Sequence, residues 1–370
     1  MFPALSTSDR RILERLWRSG ATSRVELARH VGLTKPAITQ IVRRLTEHGL
    51  VTEQVLRRGA RGQPARPVAL SERAAISVGV NFSHTFVDVG FVDLMGHPLA
   101  IQRRECASPT AEAIATAAFG LIGEMCDDLQ LPEADLLGIG FSVPGDFLND
   151  GSLKAHAYFP DLWGRDLGRA LGRKTDLAVF VENDGKACSI GELILGAGRT
   201  HRSFMVVHIG HGVGGGVVIG GRIHRGAMGN AGPLGAFWPL DKPRPSGQDL
   251  LETLNANGLD CRDFNDLETM SPDADQVVSS WIARTAAQLE DILPKVARFI
   301  DPEVVVLGGR LPPSILEAIV ERVDLQKKYG ETVADRDFHR PRLIASQLGA
   351  RAGVIGAAML PIHRYLLPQD

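Results

Sequence analysis

The chain has 370 residues, 44% of them hydrophobic, with a formal net charge of −2. That length exceeds one ordinary domain, and no run of 18 apolar residues or secretory leader is present, so neither a membrane span nor export is expected. The charge is unevenly placed: 13 of the 41 Lys and Arg residues fall in the first 70 positions against five acidic ones, leaving this segment at +8 and the rest at −10. Such asymmetry points to a polyanion-binding module joined to a part with a different task.

From the N-terminus, Ile12, Leu13, Leu16 and Trp17 make one apolar stripe over Ser8 to Trp17, and Gly20 ends that helix. Ser23 and Glu26 have the spacing of a capping box, opening a second short helix through Leu27, Ala28 and Val31. Gly32 and Leu33 form a turn. Thr34 caps a third helix with Pro36 in its first turn, where a missing N–H costs little. This helix buries Ile38, Ile41, Val42 and Leu45, and presents Pro36, Thr39, Gln40 and Arg43 on its other face, with Lys35 and Arg44 at the flanks. Gln and Thr can bond base edges and Lys and Arg can reach guanine or phosphate, as a major-groove helix requires.

A basic amphipathic helix alone is as well explained by a solvated face. The segment that follows shifts the balance. Leu50 to Leu56 reads as a strand, Arg57 to Pro67 as a Gly/Arg/Pro-rich turn, and Val68 to Leu70 as the return strand. Arg58, Arg61, Gly62, Gln63 and Arg66 make this turn narrow and cationic, suited to an A·T-rich minor groove. Residues 1–72 are therefore expected to form a winged helix-turn-helix that binds double-stranded operator DNA.

Beyond Ser71 the texture is α/β. Strands are expected over Ile76 to Asn81 and Thr85 to Asp93, closed by the turn at Met95 to Pro98, then at Leu137 to Val143, Ala178 to Glu182, Met205 to Ile209, Gly214 to Ile219 and Val304 to Leu307. Helices are expected over Ala111 to Leu129, Gly185 to Leu195 and Gln276 to Ile300. Cys106, Cys126, Cys188 and Cys261 are scattered singly, which fits reduced thiols in a cytoplasm and no cysteine-bound zinc.

Three segments carry a more specific likeness: Val181-Glu182-Asn183-Asp184, the Gly-rich run Gly210 to Gly216, and the closing stretch Leu348 to Ala358. With them the body, from about Ile76 to Leu360, resembles the ROK family (repressors, open reading frames and kinases), whose fold is the two-lobed actin/hexokinase-like one. The resemblance implies a first lobe over 73–195 completed by a C-terminal helix in 346–370, and a second lobe over 196–345. A winged helix-turn-helix ahead of such a body is similar to the family's sugar-responsive repressors; its kinases lack that head. In those kinases the Asp of the Asn-Asp motif takes the proton of the attacking sugar hydroxyl and the Asn bonds neighbouring hydroxyls, roles that map onto Asp184 and Asn183. Helix capping is the plainer role for any such pair.

The phosphate machinery is degenerate. Where the family has an Asp, two glycines and a Thr after its first strand, this chain reads Asn81-Phe82-Ser83-His84-Thr85. Asn81 lacks the carboxylate that organises Mg²⁺, and Ser83 and His84 put side chains where backbone must approach phosphate. The second loop keeps Gly210, Gly212 and Gly214 but has His211 where Thr is usual, and Gly308-Gly309 is retained near the expected adenine position. Pro233 stands in place of the sugar-binding Glu and Ala236 in place of the His that binds sugar or zinc, and no cysteine cluster follows. No cofactor and no metal are therefore expected, Asp184 becomes a vestigial base, and the effector site is expected around Pro144, Gly145, Asn183, Asp184 and Glu252. His84 and His211, with His208 nearby, could instead face each other across the cleft as an anion or metal site.

The leading expectation is a DNA-binding regulator, a repressor, that senses a sugar or sugar derivative without phosphorylating it and acts as a homodimer or homotetramer on a palindromic operator. The alternatives are an active ATP-dependent sugar kinase with a DNA-binding appendage, and a regulator whose body binds a protein partner.

Overall fold

The N-terminal unit is held by local signals that the sequence carries openly. The computed structural model describes residues 4–53, 66–272, 275–325 and 340–367. Helix α1 (Thr7–Ser19) opens on a capping box in which Ser6 Oγ accepts from the Asp9 amide and the Asp9 carboxylate accepts from the Ser6 amide. The expected start at Ser8 missed this cap. Helix α2 (Arg24–Val31) has the Ser23–Glu26 box and ends at Gly32, whose φ of 73° is easy only for glycine. Helix α3 (Lys35–Glu47) is capped by Thr34 with Pro36 in its first turn. Ile12, Leu16, Leu27, Ile38, Val42 and Leu45 meet in one cluster. Strand β1 (Val51–Glu53) pairs antiparallel with β2 (Val68–Leu70), and Thr22 adds a bridge to Val68. Arg58, Arg61, Gly62 and Gln63, expected at the wing tip, lie outside the described residues.

The first body sheet takes β3 (Ile76–Phe82), β4 (Phe86–Val92), β5 (Pro98–Glu105), β6 (Leu136–Val143) and β9 (Val179–Asn183) in the order β5-β4-β3-β6-β9. Helix α4 (Ala111–Leu129), the hairpin β7 (Gly145–Phe147) and β8 (Leu153–Ala155), and helix α5 (Leu167–Gly172) fall between these strands, and α6 (Asp184–Leu195) follows them. The expected strand pair closed at Pro98 is in fact a three-strand meander. Edge strand β5 is exposed over Gln102 and Arg103 and so lacks the apolar run of a buried strand.

The second sheet has the order β12-β11-β10-β13-β14, from β10 (Phe204–Ile209), β11 (Val213–Ile219), β12 (Arg222–His224), β13 (Val304–Gly309) and β14 (Arg342–Ala345). Helices α7 (Gly247–Ala256), α8 (Gln276–Ile300) and α9 (Pro313–Arg322) pack over it around Trp281 and Leu289. Helix α10 (Arg351–Leu366) returns to the first sheet and to α6. There glycines allow backbone contact: a Cβ on Gly356 would lie 1.6 Å from the Ala187 carbonyl oxygen, and one on Gly140 1.9 Å from that of Ala357. The head rests on this same helix. Arg10 donates to the carbonyls of Arg364 (3.0 Å) and Leu367 (3.2 Å), and Leu13 and Leu16 share a buried cluster with Met359 and Leu366. Among the described residues no helix is long and apolar enough to cross a membrane.

Candidate functional site

Strand β9 delivers Asn183 and Asp184 to the mouth of the cleft between the two sheets, where α6 begins. Asn183 is the N-cap of that helix: its Oδ1 accepts from the Lys186 amide (3.1 Å) and its Nδ2 donates to the Gly145 carbonyl (2.7 Å). Capping, the plainer of its two expected roles, is thus what the structure displays, and one amide hydrogen and one lone pair remain for a ligand. Asp184 Oδ1 accepts from the Gly185 amide at 2.8 Å, and Oδ2 lies 3.6 Å from Nε2 of the buried His208.

A cavity of about 420 Å³ opens here, lined by Pro144, Gly145, Asn183 and Asp184 together with Gly212 and Gly214 of the second Gly-rich loop. Pro233, Ala236 and Trp238 make its opposite, apolar wall. Glu252, expected among the effector ligands, is not in the lining. The buried face of α7 is Leu250, Leu251 and Leu254, which leaves Glu252 exposed and accepting from Gln248 Nε2 at 3.1 Å. The sequence reading also missed five polar lining residues, Asp146, Lys154, His156, Lys186 and Arg244, while His208, expected beside His211, lines this cavity instead. Only Lys186, two positions after Asp184 in the first helical turn, had a local signal. The others arrive by way of a hairpin and a loop whose convergence no short motif records. Burial lowers the basicity of His156, His208 and Lys186 and raises the pKa of Asp146, each as the dominant influence.

The half of the cleft beneath the first degenerate loop is filled. Asp263, 2% exposed, reaches across from the second lobe and accepts from Ser83 Oγ (2.6 Å), the Thr85 amide (3.1 Å) and Thr85 Oγ1 (2.7 Å). A protein carboxylate is thus held by the loop positions where the family resemblance expects phosphate. His211 stands beside it, with Nε2 3.4 Å from Ser83 Oγ and its ring edge-on to Phe159 and Phe264. Burial, reinforced by the nearby His84 and Arg310, keeps this imidazole well below the usual histidine range and therefore neutral. Arg310 is buried, donates to the Phe82 carbonyl and lies 5.5 Å from the centroid of Phe86. Asn81 is buried too, its carboxamide beneath Gly353 of α10.

His84 and His211 do face each other across the lobes, with ring centroids 4.0 Å apart. His84 Nε2 is 2.9 Å from the Tyr158 carbonyl, and among the described residues no group of three or more His, Cys, Asp and Glu side chains could hold a metal ion. The pair is a packed contact. The Gly-rich loop is tied down as well: the amides of Gly247 and Gln248, at the start of α7, donate to the carbonyls of Gly210 (2.8 Å) and His211 (3.2 Å).

On the head, Lys35, Pro36, Thr39, Gln40 and Arg43 are exposed along α3, and Arg66 is exposed before β2. Arg44, expected at the flank of that reading face, forms an ion pair with Asp9, a carboxylate 1% exposed at the start of α1. It fastens α3 to α1, which a helical projection could not disclose.

The profile of the ROK family matches residues 77–364, and that of winged helix-turn-helix DNA-binding domains matches residues 5–52. The chain belongs to the ROK family. A protein of Sinorhizobium fredii with no assigned function is 38% identical over 98% of this chain and 93% of its own length. The xylose repressor of Bacillus subtilis is 28% identical over 60% of this chain, and the match spans 58% of that repressor, less than two thirds of it. A crystal structure of a ROK family transcriptional regulator, a homologue of the Escherichia coli MLC protein, superposes with a TM-score of 0.71 at 21% identity, covering 97% of this chain and 96% of that one. This likeness establishes the fold: a winged helix-turn-helix joined to a two-lobed ROK body. Within that fold, the Asn183-Asp184 corner borders an open cavity, and the loop after β3 is packed against Asp263, Phe159 and His211.

Proposed function

We propose that this ROK chain is a DNA-binding transcriptional repressor whose cleft binds a small carbohydrate and does not phosphorylate it. The observation that carries this reading is the Asp263 carboxylate bonded to Ser83 and Thr85. A buried anion at that point repels the γ-phosphate of a nucleotide and occupies the donors that would cradle it. Asp184 keeps a place to accept a hydroxyl hydrogen bond, but no phosphoryl group can be presented in line with that hydroxyl. Its role is recognition.

The head supplies the output. Thr39, Gln40 and Arg43 read the major groove, Lys35 and Arg66 contact phosphates, and Arg58, Arg61 and Gln63 of the wing enter the minor groove. Two heads of a homodimer, or of a homotetramer built from two dimers, sit on a palindromic operator. The link between cavity and head is a chain of packed helices. Asp184 begins α6, α6 meets α10 backbone to backbone at Gly356, and α10 carries α1 through Arg10. A ligand that binds one lobe closure better than another shifts this stack and so the spacing of the heads.

The test is operator binding with and without carbohydrate, on DNA selected from a random pool at physiological salt. Wild type should select one palindrome and release it on ligand addition. Gln40→Ala should weaken specific binding by about 1–3 kcal/mol, roughly five- to 150-fold. Asp184→Asn should leave operator affinity in place and abolish release. Selection of no sequence, or ATP turnover stimulated by a hexose and lost in Asp184→Asn, would overturn the proposal.

A further inference from the structure

Arg244 is 7% exposed, lines the cavity, and has no carboxylate within ion-pairing distance among the described residues. Its one side-chain partner is the Gly235 carbonyl, which accepts from Nη2 at 2.6 Å, and its Nε is buried with no partner at all. A guanidinium in that condition is costly, because water has been removed from the charge and no anion has replaced it. Other buried cations nearby are compensated: Arg310 has Asp88, Asp263 and Asp184 around it, and Lys186 has Glu182 and Asp146. Among the described residues the Arg244 guanidinium has the neutral phenol of Tyr158 beside it, and it is the backbone amide of Arg244, not the side chain, that bonds the Asp249 carboxylate (3.3 Å).

The surrounding charges agree. The cavity wall carries Lys154, Lys186 and Arg244 against Asp146 and Asp184, an excess of one positive charge with His156 and His208 neutral through burial. Arg244 bonds Gly235, next to Ala236, and the apolar wall of Pro233, Ala236 and Trp238 offers a neutral sugar no side-chain acceptor. The residues that would bind uncharged hydroxyls on this wall are absent and a planar, five-donor cation stands beside them.

We infer that the effector is an acidic carbohydrate, with its hydroxyls at Asn183 and Asp184 and its anionic group, a carboxylate or a phosphate, on the guanidinium of Arg244. Such a group forms charge-assisted bonds with the guanidinium and fixes the orientation of the sugar in the cavity. This inference rests on the carbohydrate-sensing reading above and specifies its ligand class.

Calorimetric titration of the full chain with D-glucuronate, D-galacturonate, D-glucose 6-phosphate and D-glucose tests it. At least one acid should bind ten or more times tighter than glucose, and its Kd should rise with added salt while that of glucose does not. The uronates and the phosphate ester separate the two sources of negative charge. Arg244→Gln, which keeps a donor for the Gly235 carbonyl, should bring acid and glucose to the same affinity. The salt dependence of the wild-type protein gives the same information should that variant fail to fold. Glucose binding as tightly as every acid, no acid binding at all, or a preference that survives Arg244→Gln would each overturn the inference. Operator release by glucose without any acid preference would overturn the acidic ligand and leave the regulator standing. Tight acid binding with no effect on operator affinity would do the reverse.

Discussion

The two halves of the cleft have had opposite fates. At the loop after β3, Ser83 and Thr85 bind Asp263, and His211, Phe159 and Phe264 fill the space beside it. At the end of β9, Asn183 and Asp184 still border a cavity of about 420 Å³. One half has become interior, with the Asp263 carboxylate satisfied by Ser83 and Thr85, although Nη1 of Arg310 there has no partner. The other keeps unpartnered groups: Nδ1 of His156, both ring nitrogens of His208 and Nε of Arg244. Buried polar atoms without partners are uncommon in a folded protein, and these four line the open cavity.

This contrast predicts different responses on its two sides. The largest effect belongs to the sealed half: Asp263→Ala leaves Ser83 and Thr85 without their buried acceptor and should cost about 2–4 kcal/mol of stability in denaturant titrations. A loss below about 1 kcal/mol would mean that the carboxylate is no structural replacement for phosphate.

Acid should act next. His211 has a folded-state pKa depressed by burial, so below the unfolded-state value near 6.5 the unfolded chain binds the extra proton. The stability contributed by the neutral imidazole is complete above that pH and declines as pH falls below it. The slope is about 1.4 kcal/mol per pH unit for each such histidine until its folded pKa is reached. His156 and His208 contribute in the same direction. His211→Gln should lower the slope by about one proton between pH 6.5 and 5, measured by urea unfolding at a series of pH values.

Asp184→Asn, in the open half, should change stability by less than about 1 kcal/mol, because the carboxylate is partly solvated and accepts from a single amide. The smallest response should come from MgATP. At millimolar concentration it should leave the melting temperature unchanged, whereas a cleft ligand at a hundred times its Kd adds about 2.7 kcal/mol. A shift with MgATP would reopen the phosphate half and break the comparison.

Legibility in the sequence followed the range of the interactions. The Ser23–Glu26 box, the Thr34 cap with Pro36 and the apolar stripes of α1 and α3 act within one helical turn, and each was readable from spacing alone. The Asn183-Asp184 corner was equally legible, since a strand end and the helix after it are contiguous. Edge strand β5 was not, because its polar, exposed face gives no burial pattern. Glu252 was misplaced because a matching residue type says nothing about which face of α7 is buried.

What the sequence by itself determined is the plan: a cationic winged helix-turn-helix head, an α/β body of ROK type, and a loop after β3 that departs from the family's phosphate-binding pattern. What only the tertiary structure decided is how the alteration was resolved. Asp263 lies 180 residues from Ser83, and Arg244 and Lys186 come to one cavity from different lobes. Charges separated in this way carry no periodicity and no common spacing. Their pairing, or their failure to pair, depends on which surfaces the two lobes bring together and from which of them water is excluded.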